Sequence, residues 1–422
     1  MAPGRRGPSC VLNPVPARFS LCLALLVTGV AADGGEDRLG SLIRWYLDEP
    51  TPVRREKFLQ SIEDTAGGDV RIIIKALRDG RHFRHDDAPA LKKGGPAPVF
   101  SLKRPRLQPV GASAGDFAQL VVPRGYTPKR AYPLMIDIGP VNLPPADGAI
   151  LLRVLPELHP QAREHAWAAE GLVLSLLAHV MEVVHVDPDR VSLRADGKPA
   201  ALAWYVALHN PDRFAAVLTA RVAWKGGGAI ACNAATFGSI GVRKHGSDRP
   251  LASFFAALRR HSARHAILEA SPEEPLHKWI APYVEKVGNA ARVSAPTTLR
   301  LATERSARVR SFWVRMSPRT PSTKPRRVGP WRDRALARTA TLTATLDNTK
   351  NRIDVKTYRV TAFDIYIDAG LFDPSAPLRV SINGSVPESK LIYPEIADLL
   401  EDYRVRRDTG LLFVDKLTFA VR

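Results

Sequence analysis

Residues 185–216 read HVDPDRVSLRADGKPAALAWYVALHNPDRFAA. The order within this stretch is a short strand (190–193), a turn holding Gly197 and Pro199, and a helix (200–209). The helix sets Leu202, Tyr205 and Val206 on one side. A strand follows at 215–220. Strand, helix and returning strand make a crossover unit, the building block of a parallel sheet. The alternation extends both ways. Upstream, 117–122 (FAQLVV) and 132–138 (YPLMIDI) read as strands, the second apolar enough to be buried, and 172–184 reads as a helix. Downstream, 237–244 reads as a strand and 251–261 as a helix. Residues 99–295 are therefore expected to form an α/β domain, a mainly parallel sheet with flanking helices.

The flanks follow other periods. Leu39, Leu42, Ile43 and Tyr46 recur at i, i+3, i+4 and i+7, one helix face. A second helix carries Phe58, Leu59 and Ile62 and starts after Thr51-Pro52; a third carries Val70, Ile73, Ile74 and Leu77 and stops at Gly80. Residues 33–80 are thus a helical prefix, and polar 81–98 a linker. From about residue 301 the period becomes two, in Ile353/Val355, Phe363/Ile365/Ile367 and Leu378/Val380/Ile382. Residues 411–414 and 417–421 are also strand-like, Asn383-Gly384 signals a hairpin turn and 394–403 a helix. Residues 296–422 read as a β-rich, sandwich-like C-terminal domain, with 317–334 as an exposed basic loop.

The chain has 422 residues, 45% hydrophobic and 24% charged, which suits two or three globular domains. Arg5, Arg6 and Arg18 precede or open a short apolar run (19–31, FSLCLALLVTGVA) ending in small residues. This reads as an export signal over 1–32, cleaved after Ala31 or Ala32, with no later segment expected to span a membrane. The expected destination is the periplasm or the exterior. Cys10 and Cys22 fall in the signal and leave Cys232 alone, so neither a disulfide nor a zinc-cysteine site is expected. His82 and His85 are too isolated to hold a metal, and no cofactor motif occurs; Gly226-Gly227-Gly228 lacks a P-loop lysine. The formal charge is +19, and residues 300–338 hold twelve Lys/Arg against Glu304 and Asp333. That balance suits an anionic surface as partner, or simply a solvated arginine-rich face. An exported protein is not expected to meet nucleic acid.

Several segments carry a family resemblance. Tyr126-Thr127-Pro128 and Tyr132-Pro133-Leu134 resemble the entry to the first strands of bacterial secreted esterases. Val186-Asp187-Pro188-Asp189-Arg190-Val191 is similar to the segment before their nucleophile turn. Trp204, Ala207, Leu208, His209, Pro211, Asp212, Arg213 and Phe214 resemble the helix and turn after it, and His245-Gly246-Ser247-Asp248 resembles H-G-x-x-D. Over roughly residues 99–290 the chain resembles the feruloyl esterase, polyhydroxybutyrate depolymerase and prolyl oligopeptidase-like branch of α/β-hydrolases. The resemblance implies a triad in the order nucleophile, acid, base. Asp248 corresponds to the acid and His277 to the base. The G-x-S-x-G register gives Ala195-Asp196-Gly197-Lys198-Pro199, so Gly197 stands at the serine. Pro199 stands where a small residue is needed. The oxyanion amides correspond to Lys198 and to Gly139, in Ile138-Gly139-Pro140 where the family has His-Gly.

Substitute nucleophiles fit poorly. Asp196 is flanked two residues away by Arg194 and Lys198, and Ser192 by Arg190 and Arg194. Ser113, in Gly111-Ala112-Ser113-Ala114-Gly115, precedes a strand and opens no helix. The resemblance thus implies a pseudohydrolase that binds or scaffolds, with a small-molecule, carbohydrate-ester or peptide ligand or an envelope protein as partner. The alternatives are an active ester or peptide hydrolase using Asp248 and His277 with another nucleophile, and an anion-binding envelope protein.

Overall fold

The computed structural model describes residues 35–80, 82, 99–101, 117–127, 130–140, 148–220, 228–243, 249–261, 267–270, 287, 289–320, 322–368 and 370–421. Three helices come first: α1 (Gly35–Asp48), α2 (Pro52–Ala66) and α3 (Val70–Arg78). Pro52 opens α2, where a missing N–H costs nothing, and Gly67 closes it with φ +60°. The Asp69 carboxylate accepts the Arg71 N–H and caps α3. Their apolar faces, including Ile43, Ile62, Ile73 and Leu77, share one core with Leu399, Leu400 and Tyr403 near the C-terminus. The prefix therefore packs against a segment more than 300 residues away in the chain.

The α/β region runs β1 (Val99–Ser101), β2 (Ala118–Val121), β3 (Tyr132–Ile138), β4 (Ile150–Val154), α4 (Ala166–Val183), β5 (Val186–Asp196), α5 (Ala200–His209), β6 (Ala216–Ala220), β7 (Ser239–Arg243), α6 (Arg249–His261) and β8 (Ile267–Ala270). The strands form one sheet in the order β1-β2-β4-β3-β5-β6-β7-β8. From β4 to β8 every pairing is parallel; β2 runs antiparallel to both its neighbours. Every residue of β3 and β6 is buried, as central strands covered on both faces must be. Strand β5 begins at Val186, earlier than the sequence suggested. A register shift lets Val186 pair with Tyr132 before Val191 meets Leu134.

Two expectations change here. Helix α4 is 18 residues long and apolar enough to cross a membrane by length and composition, against the reading that no such segment follows the signal. The sequence reading started the helix at 172 and missed its AWAAEG opening. Its Val173, Leu176, Leu177 and Val180 are fully buried in the α/β core, which accounts for the apolar composition.

The C-terminal region holds two sheets. Strands β9 (Thr298–Thr303), β14 (Ala340–Asp347), β15 (Arg352–Tyr358), β17 (Leu378–Ile382) and β18 (Glu388–Lys390) form one, and β10 (Val309–Ser311), β11 (Val314–Pro318), β16 (Val360–Asp368) and β19 (Phe413–Ala420) the other. Leu301, Leu342, Ile353 and Val380 of the first share a core with Val314, Phe363, Ile365 and Phe419 of the second. Asn383 and Gly384 lie at φ +53° and +82° in the turn leaving β17. Helix α7 (Ile396–Arg406) closes on the prefix.

The second correction concerns 317–334, read from sequence as an exposed loop. Most of it is strand. Thr323–Val328 (β12) and Trp331–Leu336 (β13) form an antiparallel hairpin. The opposed pair Val328 and Trp331 is buried in the α/β core. Two apolar anchors beside runs of charged and polar neighbours gave the hairpin no visible period. The Trp331 Nε1–H donates to the Ala162 carbonyl at 2.7 Å, and the Arg332 N–H to that of Glu164 at 2.7 Å. Trp331→Phe removes the buried donor and is expected to cost about 1–3 kcal/mol. Thermal unfolding measures this, and an unchanged midpoint would show that the hairpin is not anchored there.

A buried charge cluster joins the α/β region to α7. Arg292 donates to Asp189 Oδ1 at 2.8 Å and, bidentately, to Asp408 at 2.7 and 2.8 Å. Arg213 lies 3.5 Å and Arg406 3.6 Å from the same Asp408 carboxylate, and Arg406 lies 2.8 Å from Asp212. Asp212 and Arg213, in the turn after α5, are thus cement between regions.

Candidate functional site

Strand β5 ends at Asp196, and α5 starts four residues later. The chain reverses through Gly197, whose φ is +68°, a left-handed value that glycine adopts without strain. The Gly197 N–H donates to the Ala220 carbonyl at 3.0 Å, and its own carbonyl accepts the Ala200 N–H at 3.1 Å. Those bonds tie the turn to β6 on one side and start the helix on the other. Position 197 thus sits on a sharp strand-to-helix turn. A Cβ added there would meet nothing within 4 Å, so the place is open, but it carries no functional group.

Gly139 follows β3 directly, with φ +83°. Its N–H is already bonded to the Val154 carbonyl at 2.8 Å, and Pro140 has no N–H to offer. An ideal Cβ on Gly139 would lie 2.5 Å from Pro199 Cγ. Only glycine lets the Pro199 ring pack here, and that ring covers the face of Gly139 beside the turn. On the far side the hairpin turn approaches: a Cβ on Gly329 would lie 3.3 Å from the Lys198 carbonyl and 3.4 Å from Ala201 Cβ. The Lys198 side chain is exposed.

The substitute nucleophiles sit as follows. Asp196 is half-buried at the end of β5. Ser192 is buried with its Oγ 3.5 Å from the Leu134 carbonyl. Beside it Arg194 donates to both oxygens of Asp137, at 2.6 and 2.9 Å, from directly paired positions on β5 and β3. Both side chains are 0% exposed. Burial pushes the Asp137 carboxyl above its usual range, opposed by the adjacent Arg194 charge. Trp204 is core and donates its indole N–H to Thr219 Oγ1 at 3.0 Å. His209 is buried, its Nδ1 2.7 Å from the Tyr205 carbonyl, and burial holds its pKa well below 6.5, so it is neutral. His82 is likewise buried, with Nε2 2.6 Å from the Tyr403 hydroxyl, and burial pushes its pKa down to about 3. Asp248, His277, Ser113, the signal 1–32 and, apart from His82, the linker 81–98 lie outside the described residues.

Sequence reasoning missed one feature. The basic stretch 300–338 does not simply face solvent. Arg305, Arg326, Arg327, Arg332 and Arg334 line a cavity of about 810 Å³ with Trp167 and His165 from the start of α4. The Gly329-Pro330 turn between two charged runs was the available signal for the hairpin that builds it.

No protein-family model matches this chain, and no curated protein does. Similar solved structures include esterases and dipeptidyl peptidases. A thermostable esterase is 12% identical, with a TM-score of 0.32, over 42% of this chain and 59% of that one. A ferulic acid esterase from Anaeromyces mucronatus is 11% identical, with a TM-score of 0.32, over 49% and 95%. Dipeptidyl peptidase 4 of Porphyromonas gingivalis is 11% identical, with a TM-score of 0.32, over 41% and 33%. The chain therefore spans less than two thirds of the thermostable esterase and about a third of the peptidase.

Proposed function

We propose that this is an exported protein that binds or scaffolds through an α/β-hydrolase frame whose nucleophile turn does no chemistry. The observation that carries the reading is the turn itself. Gly197 occupies the left-handed position with no side chain, so no acyl intermediate forms there. The neighbouring donor is also spent, because the Gly139 N–H is held by Val154 and the Pro199 ring packs on Gly139. Oxyanion stabilisation is worth about 10²–10³ in rate per donor, so occupation of the Gly139 N–H adds to the missing nucleophile. Ligands in keeping with the frame are small molecules, carbohydrate esters or peptides.

Restoring the side chain tests the second half of this argument. Gly197→Ser has room for its Cβ, and the left-handed φ costs about 1–2 kcal/mol, so the variant is expected to fold. It is expected to gain no ester hydrolysis over the wild type and to stay unlabelled by a fluorophosphonate. Labelling of the variant at the substituted position, with turnover well above wild type, would show that a working oxyanion site remains. Labelling of the unmodified protein at Ser113 would favour the active-hydrolase alternative.

A further inference from the structure

We infer that the cavity between α4, α5 and the β12–β13 hairpin binds a small phosphate ester carrying a planar ring, the chemistry of a nucleoside diphosphate. The inference is independent of the turn at Gly197. The volume of about 810 Å³ falls in the range of small-molecule sites.

Its charges divide into two sets. Arg305 is bidentate to Glu170 and lies 4.5 Å above the Tyr205 ring. Arg326 is paired with Asp333 at 2.7 Å and with Glu304. These two are neutralised and locked. Arg327, Arg332 and Arg334 are exposed and make no ion pair among the described residues; Arg334 only donates to Thr323 Oγ1 at 3.2 Å. Arg327 and Arg332 stand directly opposite each other in the hairpin register, and Arg334 is two residues on, on the same face as Arg332. Like charges directly opposed across two strands destabilise them. A guest with two or more negative charges removes that repulsion and takes forked guanidinium bonds. Asp333, the one carboxylate lining the cavity among the described residues, is already committed to Arg326 and the Tyr205 hydroxyl, so it does not repel such a guest at full strength.

The aromatic half of the site is Trp167. It is 58% exposed and stacked on His165, centroids 5.8 Å apart at 28°. A large indole held open beside these arginines offers a flat ring a stacking face. Anion and ring contacts on one cavity select a ligand that has both.

Calorimetric titration of the full-length protein with ADP, pyrophosphate and adenosine at low salt tests this. ADP is expected to bind saturably, about tenfold or more tighter than pyrophosphate, and adenosine weakest. Arg327→Gln and Arg332→Gln, both on exposed side chains, are each expected to weaken ADP about tenfold or more. Trp167→Ala is expected to bring ADP down to the pyrophosphate level while leaving pyrophosphate unchanged. No saturable binding up to about 1 mM would overturn the inference, as would ADP binding indifferent to all three variants. Equal affinity for ADP and pyrophosphate would overturn the ring. A sulfated polysaccharide that displaces ADP and binds far more tightly would overturn the small ligand in favour of a polyanion. None of these results bears on hydrolysis, so failure here is separable from failure of the proposed function.

Discussion

Asp408→Asn is expected to lower stability by about 3–5 kcal/mol, the cost of breaking a buried charge pair from one side. Asp408 is 1% exposed and faces Arg292, Arg213 and Arg406 at once. Burial alone would raise its pKa, but those three guanidinium groups hold it far below the usual aspartate value of 3.8. An amide keeps the volume and forfeits the charge, leaving three buried cations with Asp189 and Asp212 as their remaining close carboxylate partners among the described residues. The sign of the pH effect follows. A carboxyl depressed in the folded state contributes stability that is fully present above about 3.8 and is lost as pH falls below it. The wild type should therefore weaken steeply in acid, and Asp408→Asn less so, the two curves converging. Urea unfolding at neutral and acid pH checks both statements. A neutral-pH loss under about 1 kcal/mol would mean the cluster is not what joins α7 to the α/β region.

Arg194→Leu is expected to cost a similar amount, about 3–5 kcal/mol, for a different structural reason. Its partner Asp137 lies in the centre of the sheet, where every residue of β3 is buried. Loss of Arg194 leaves a carboxyl that must stay protonated to remain inside. Burial already holds the Asp137 carboxyl above its usual range, and losing Arg194 removes the charge that opposes that rise, so the sign reverses. Stability is fully present below about 3.8 and is lost as pH rises through that value toward the folded pKa. The double variant Asp137→Leu/Arg194→Leu should recover most of the loss, because an apolar pair of similar volume needs no desolvation. A double variant as unstable as the single one would assign the loss to packing rather than charge.

The α/β region was legible because its strands obey simple periods. Residues 132–138 and 200–209 were read with the bounds the structure gives, since β3 is continuously apolar and α5 is bracketed by Pro199 and Asn210. Helix α4 was read six residues short because its opening turn mixes Glu170 and Gly171 into an alanine-rich run. The hairpin was illegible. Its fold depends on Val328 and Trp331 entering a core made mostly by residues of the α/β region far earlier in the chain, and no local pattern announces that. The turn at Gly197 was placed from sequence, but the occupation of the Gly139 N–H by Val154 was not, because a backbone hydrogen bond between neighbouring strands leaves no mark in residue types. The cavity was half legible. Its arginines stood out as a basic run, while Trp167 lies in the opening of α4 that the sequence reading left out, and the Arg327–Arg332 opposition required the register.

The most direct measurement is hydrolysis of a short-chain aryl ester panel and a dipeptide panel by the full-length protein, with His277→Ala as control. The account predicts turnover no greater than that of His277→Ala for every substrate. Turnover that His277→Ala abolishes would contradict it, and would require a residue other than Gly197 to act as the nucleophile.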